Sequence, residues 1–211
     1  QVDPLLKGLD IGARSQSSEA DFKGAERAIR ALLEDKMPSL GYHNLAHIED
    51  VLKSALVIAV TENIHEEEQQ LLRLAALLHD AGFIYQAREH EKKSVEIAKE
   101  ILPEYGLTES QINLISGMIM ATKIPQKPAN QLERIICDAD LDYLGREDFK
   151  EISAGLFSEF IELGLVENER EWNLVQKTFF ENHEYHTTYS KTNRAERKQK
   201  HLEEILHNLT S

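Results

Sequence analysis

Residues 71–83, LLRLAALLHDAGF, constrain this chain more than any other stretch. The run is apolar on nearly every side. A helix of that kind has no face to offer water, so it belongs at the centre of a helical core. It ends abruptly in His79-Asp80. A carboxylate buried without a partner is costly, so this pair has to be hydrogen-bonded, charge-paired or bound to a metal. Taken alone, the dipeptide reads as a packed histidine beside an aspartate that caps the next turn.

The rest of the chain repeats the helical theme. Apolar residues recur at helical spacing over 21–37, 42–62, 66–80, 88–102, 131–144, 147–163, 168–182 and 191–209. A further helix opens at Thr108, with Gln111 three residues on in capping-box register. Ten glycines and five prolines are few for 211 residues, and most stand at the joints. No strand-like alternation and no internal repeat is visible. The pattern predicts an all-α, compact single-domain bundle of roughly eight or nine helices. Residues 1–20 form a weakly patterned lead-in, and 21–211 the domain.

Composition narrows the partners. Acidic residues outnumber Lys plus Arg by 37 to 24, a formal charge of −13. That balance argues against a surface tracking the phosphates of polymeric nucleic acid. It still permits a small phosphorylated substrate, because a bound metal reverses the local field. The single cysteine, Cys137, excludes an internal disulfide and fits a reducing compartment. With no membrane-length apolar run and no secretory signal, a cytoplasmic location is expected. The chain begins at Gln1, not Met, which leaves room for residues upstream.

Three pieces carry the chemistry. His43 and His47 stand four apart in the predicted helix 42–62 and would share a face, although nine histidines make a chance pair common. His79-Asp80 is the second piece. The third is Asp140 in IICDADLDYLG, where Asp138, Asp140 and Asp142 otherwise read as a solvated acidic loop, with one buried but not all three. A histidine, a His-Asp pair and a distant aspartate supply two imidazoles and two carboxylates. That set suits a divalent ion such as Mn, Fe, Co, Ni or Zn, with positions left for water and substrate. In the tail, His183, His186, Arg194, Arg197 and Lys200 form a basic cluster that either closes over an anion or is a solvated face. Cys137, Trp172, Phe179 and Phe180 read as core.

The segments GYHNLAHIEDVL, LAALLHDAGF and ICDADLDYLG, in this order, resemble the HD-domain superfamily of metal-dependent phosphohydrolases, whose signature is His…His-Asp…Asp on an all-α fold. The motifs span about residues 38–145. The tail, FFENHEYHTTYSKTNRAERKQKHLEEIL, is similar to the end of a bacterial group of predicted HD phosphohydrolases. The resemblance implies His47, His79, Asp80 and Asp140 as metal ligands, with Asp80 or Asp140 taking a proton from water. It implies His43 as proton donor to the leaving oxygen, and Tyr42 and Asn44 as residues that orient the histidines. Two-metal members carry a histidine soon after the His-Asp pair, which His90 matches, and another near 121–123, where this chain has Lys123. That departure implies one metal per chain, with Lys123 beside the leaving oxygen and His90 as a phosphate or second-metal contact. The implied function is hydrolysis of a phosphate monoester or diester in a small, nucleotide-like substrate by a metal-activated water, the ion being Mn, Fe, Co, Ni, Zn or Mg. The implied partner is that small substrate, with no polymeric nucleic acid and no membrane, and a homodimer is left open. Two rivals stand beside this reading. One is a di-iron oxygenase, which needs more histidine ligands; the other is a non-catalytic metal- or nucleotide-binding sensor.

Overall fold

The computed structural model describes residues 20–210, so residues 1–19 of the expected lead-in lie outside the described residues. Among the described residues there are ten α-helices and no strand. Six of them form the body of the fold: α1 (Phe22–Lys36), α2 (Leu45–Thr61), α3 (Glu66–Leu78), α4 (His90–Ile101), α5 (Glu109–Ala121) and α6 (Gln131–Asp140). The central helix is α3, which packs against α1, α2, α4, α5 and α6. Leu72, Leu74, Leu77 and Leu78 are wholly buried there. Each contributes about 1.5–3 kcal/mol through burial. Glu66, Glu67 and Glu68 occupy its first turn, where the helix dipole favours negative charge.

Polar caps set the helix starts. Asn44, Thr108, Asn130 and Asn168 each accept the backbone N–H three residues on. Thr108 and Gln111 form the full capping box. These caps also move two boundaries. The segment predicted as helix over 42–62 starts at Leu45, so His43 precedes the helix and does not share a regular helical face with His47. The segment over 131–144 leaves the α-helix after Asp140 and continues as a 3-10 turn over Asp142–Gly145.

The remaining helices are α7 (Phe149–Glu162), α8 (Glu169–Asn182), α9 (Thr188–Asn193) and α10 (Ala195–Thr210). The last two replace the single helix expected over 191–209, and because α9 is only six residues long, nine of the ten helices have seven residues or more, in line with the roughly eight or nine expected. The break falls at Arg194, whose guanidinium reaches Asp142 Oδ1 at 2.8 Å. A smaller apolar cluster holds this half together, built from Tyr42, Leu141, Tyr143, Leu144, Phe149, Phe180 and Ile205.

Of the three aspartates, two are buried and Asp140 is half-buried, so not all three are buried. Asp138 and Asp142 are 0% and 2% exposed. The reason is that the tail partners both. Asp138 accepts the N–H groups of His186 and Thr187 at 2.8 Å and the Thr187 hydroxyl at 2.6 Å. Asp142 receives Arg194 and the Ser54 hydroxyl. The basic tail is therefore largely spent within the protein: Arg197 also pairs with Glu147 and Lys200 with Glu196. Cys137 is buried as expected, its thiol on the Ala121 carbonyl.

Candidate metal centre

Four side chains from three helix ends converge beneath α3. His47 lies in the first turn of α2, and the Asn44 side chain that starts this helix accepts the His47 N–H at 3.1 Å. His79 and Asp80 follow the last turn of α3 directly, and Asp140 is the last residue of α6. His47 Nε2 is 3.3 Å from Asp80 Oδ2 and 3.3 Å from Asp140 Oδ1. His79 Nε2 is 3.2 Å and 3.6 Å from the same two oxygens. The two Nε2 atoms face each other at 3.3 Å.

Electronically, this arrangement asks for a cation. His79 Nδ1 lies 2.8 Å from the Ala76 carbonyl oxygen, an acceptor, so Nδ1 carries a proton and Nε2 is the nitrogen that faces the centre. Asp80 Oδ2 is buried and lacks a well-aligned hydrogen bond, although two imidazole nitrogens lie within 3.3 Å. Lone pairs that converge without pairing repel unless a proton or a metal ion sits among them. Donor atoms about 2.0–2.2 Å from a first-row ion stand roughly 3–3.5 Å apart, which is the spacing here. The residues fit a divalent metal.

The charge balance points the same way. Burial works to raise the pKa of Asp80, but the facing His79, His47 and His90 overcome it and hold the carboxyl well below its ordinary range. Asp140 behaves alike and falls to about 2, despite burial, through His47 and His79. Burial works to lower His79, and the two carboxylates hold it well above its ordinary value instead. Two anionic carboxylates thus meet two imidazoles that hold positive charge between them.

His90, at the start of α4, joins this group. Its Nε2 is 3.2 Å from Asp80 Oδ1, the oxygen not shared by His47 and His79, and its Nδ1 faces the Ala87 carbonyl at 3.0 Å. Gly82 makes the approach possible, since a Cβ there would overlap the His90 carbonyl. Beside His90, Glu91 is buried and lines the same cavity, a neighbour the sequence reading passed over.

His43 sits next to the cluster with its ring stacked on Phe83 at 4.1 Å. Its Nδ1 lies 2.6 Å from Glu159 Oε1, and the other Glu159 oxygen accepts the backbone N–H groups of Tyr42 and His43. Burial would raise the Glu159 pKa, but these bonds from His43 and the backbone keep it lowered and the carboxylate ionised. Glu159 is 1% exposed, on α7, and was not anticipated from sequence. The signal was present: Glu159 falls on the helical stripe of Ile152 and Leu156, where an acid needs a partner. Tyr42 packs on His47 at 4.2 Å and its hydroxyl faces the Asp140 carbonyl.

Lys123 stands apart from this group. Its ammonium is exposed beyond the end of α5, 4.0 Å from Glu89, and it is not among the residues that line the cavity. Trp172, Phe179 and Phe180 are also more than core, because all three form part of that cavity's wall.

With this geometry in view, the comparisons with known proteins are direct. Residues 44–142 match the family model of the HD domain. This segment is an HD domain. An uncharacterized protein of Clostridium beijerinckii (strain ATCC 51743 / NCIMB 8052) is 32% identical over 101 residues, a match that spans 46% of this chain and 62% of the relative. The crystal structure of a predicted HD superfamily hydrolase from an uncultured Thermotogales bacterium superposes with a TM-score of 0.60 at 20% identity. That likeness covers 87% of this chain and 91% of the other, and it shows a shared fold. His47, His79, Asp80, His90 and Asp140 lie within the HD domain, whereas His43 and Glu159 lie outside the matched segment. No helix among the described residues is long and apolar enough to cross a membrane.

Proposed function

We propose that this chain is a metal-dependent hydrolase of phosphate esters. The observation that carries the reading is the convergence of His47, His79, Asp80 and Asp140, with a buried Asp80 oxygen left without a hydrogen-bond partner. A divalent ion held by these residues would polarise the phosphoryl group and ease deprotonation of water. Asp80 or Asp140, kept ionised by their imidazole neighbours, would take that proton.

His43 supplies the other proton. Because the ionised Glu159 holds hydrogen on His43 Nδ1, Nε2 is the nitrogen left to act on substrate. Water adds to phosphorus, the ester P–O bond breaks, and the leaving oxygen departs with the proton from Nε2. The products are the alcohol and phosphate, or a monoester if the substrate is a diester.

Activity on a panel of phosphate esters with Mn(II) tests this. Replacing His43 by Gln should lower kcat by about 100- to 10,000-fold while the protein still binds metal. Hydrolysis at the wild-type rate by His43→Gln would contradict the assigned role.

A further inference from the structure

The cavity that opens beside the metal centre has a character of its own. Its volume is about 240 Å³, below the roughly 300–1,000 Å³ of common ligand pockets, so it suits a compact group. Asp80, His90 and Asp140 are among the residues that line it. The rest of the wall comes mainly from beyond the HD match, with Leu144, Phe149, Leu156, Phe160, Trp172 and Phe180 as its main surfaces.

Two absences among the lining residues define what it can hold. No lysine or arginine lines it, while Asp80, Glu91 and Asp140 do. A triphosphate carries several negative charges and is usually met by Arg or Lys donors. Here only the metal centre and its histidines could receive one phosphate. The polar groups in the wall are also largely engaged. Gln176 takes the Ser153 hydroxyl and donates to Asn173, and the Thr122 hydroxyl donates to the Ile119 carbonyl. Apart from Glu91 and the Tyr143 hydroxyl, little is left to pair with a ribose or the edge of a base.

We infer that the preferred substrate is an ester with a single phosphate group and a compact, uncharged, apolar or aromatic alcohol that fills this cavity. The inference rests on the phosphate-ester reading above and replaces the nucleotide-like substrate expected from sequence. The alcohol ring lies against Phe149, Phe160, Trp172 and Phe180 while its phosphate faces the metal centre. Hydrolysis then releases the apolar alcohol and inorganic phosphate.

The test separates the pocket from the reaction by measuring binding and turnover independently. On the full chain with Mn(II), calorimetry compares 1-naphthylmethylphosphonate with 2-hydroxyethylphosphonate, which cannot be hydrolysed at a P–O ester. The naphthyl compound should bind at least about tenfold more tightly, a modest share of what burying an aromatic ring can give. In parallel, kcat/KM for 1-naphthyl phosphate should exceed that for glycerol 3-phosphate, AMP and ATP by at least about tenfold, which is 1.4 kcal/mol. Leu156→Trp, which fills the half-buried wall, should erase the naphthyl preference in both measurements. Equal binding of the two phosphonates, or a preference for AMP or ATP, would overturn the inference. Tight naphthyl binding with no turnover of any ester would instead overturn the hydrolase reading and leave the pocket assignment standing.

Discussion

Glu159 and His43 stand 116 residues apart and act as one unit. An ionised carboxylate on Nδ1 fixes both the tautomer and the ring plane, a role that usually affects activity about 10- to 100-fold when removed. Glu159→Gln should therefore lower kcat by about that factor and shift the pH–rate profile, while leaving metal content unchanged. Unchanged kinetics would mean that the bond only braces α7. His47, His79, Asp80 and Asp140 were legible in sequence as candidates, because each sits at a helix end inside a short motif. Sequence concealed Glu159, whose partner is far along the chain and whose own surroundings look like any amphipathic helix. Residue type alone also did not reveal that Lys123 lies exposed near Glu89.

At the scale of helices, α6 is the element that binds the two halves together. Its Asp138 holds the start of α9 through three hydrogen bonds, and Asp142 just beyond it holds Arg194 between α9 and α10. Charged hydrogen bonds contribute about 1.5–3 kcal/mol each, not additively. Asp138→Ala should thus destabilise the fold by about 2–4 kcal/mol in urea denaturation. A change near zero would show that the tail docks without it. The helices of the body were legible from apolar spacing and caps such as Thr108. The split at Arg194 was not, because an unbroken charged helix and two short ones share the same local pattern. Gly41 and Gly155 show the same limit: their backbones touch so closely that a Cβ on either would overlap the other's carbonyl, which brings α7 and Glu159 up to His43.

For the molecule as a whole, composition and periodicity were enough for the fold class, since few breakers and one long apolar helix leave little besides a helical bundle. How the aromatic half encloses a cavity was not readable, because Trp172 and Phe180 look like core from their spacing alone. The same half contains a pH-sensitive group. His183 is lowered to about 3 by burial first and then by Lys198 and His186, and neither ring nitrogen has a hydrogen-bond partner. The unfolded chain takes up this proton near pH 6.5 and the folded one does not, so the stabilisation is complete above pH 6.5 and is lost as pH falls toward 3. Each unit in that window corresponds to about 1.4 kcal/mol. Urea unfolding at pH 7 and pH 5 should show a fall that is about 2 kcal/mol smaller in His183→Phe than in the wild type. Identical falls would remove His183 from the explanation.

Metal binding by His47, His79, Asp80 and Asp140 is what the proposed reaction needs most. Metal analysis after equilibration with Mn(II), on wild type and Asp80→Ala side by side, tests that directly. The expected result is one ion per chain in the wild type and almost none in a folded Asp80→Ala. Equal metal content in the two proteins would contradict it.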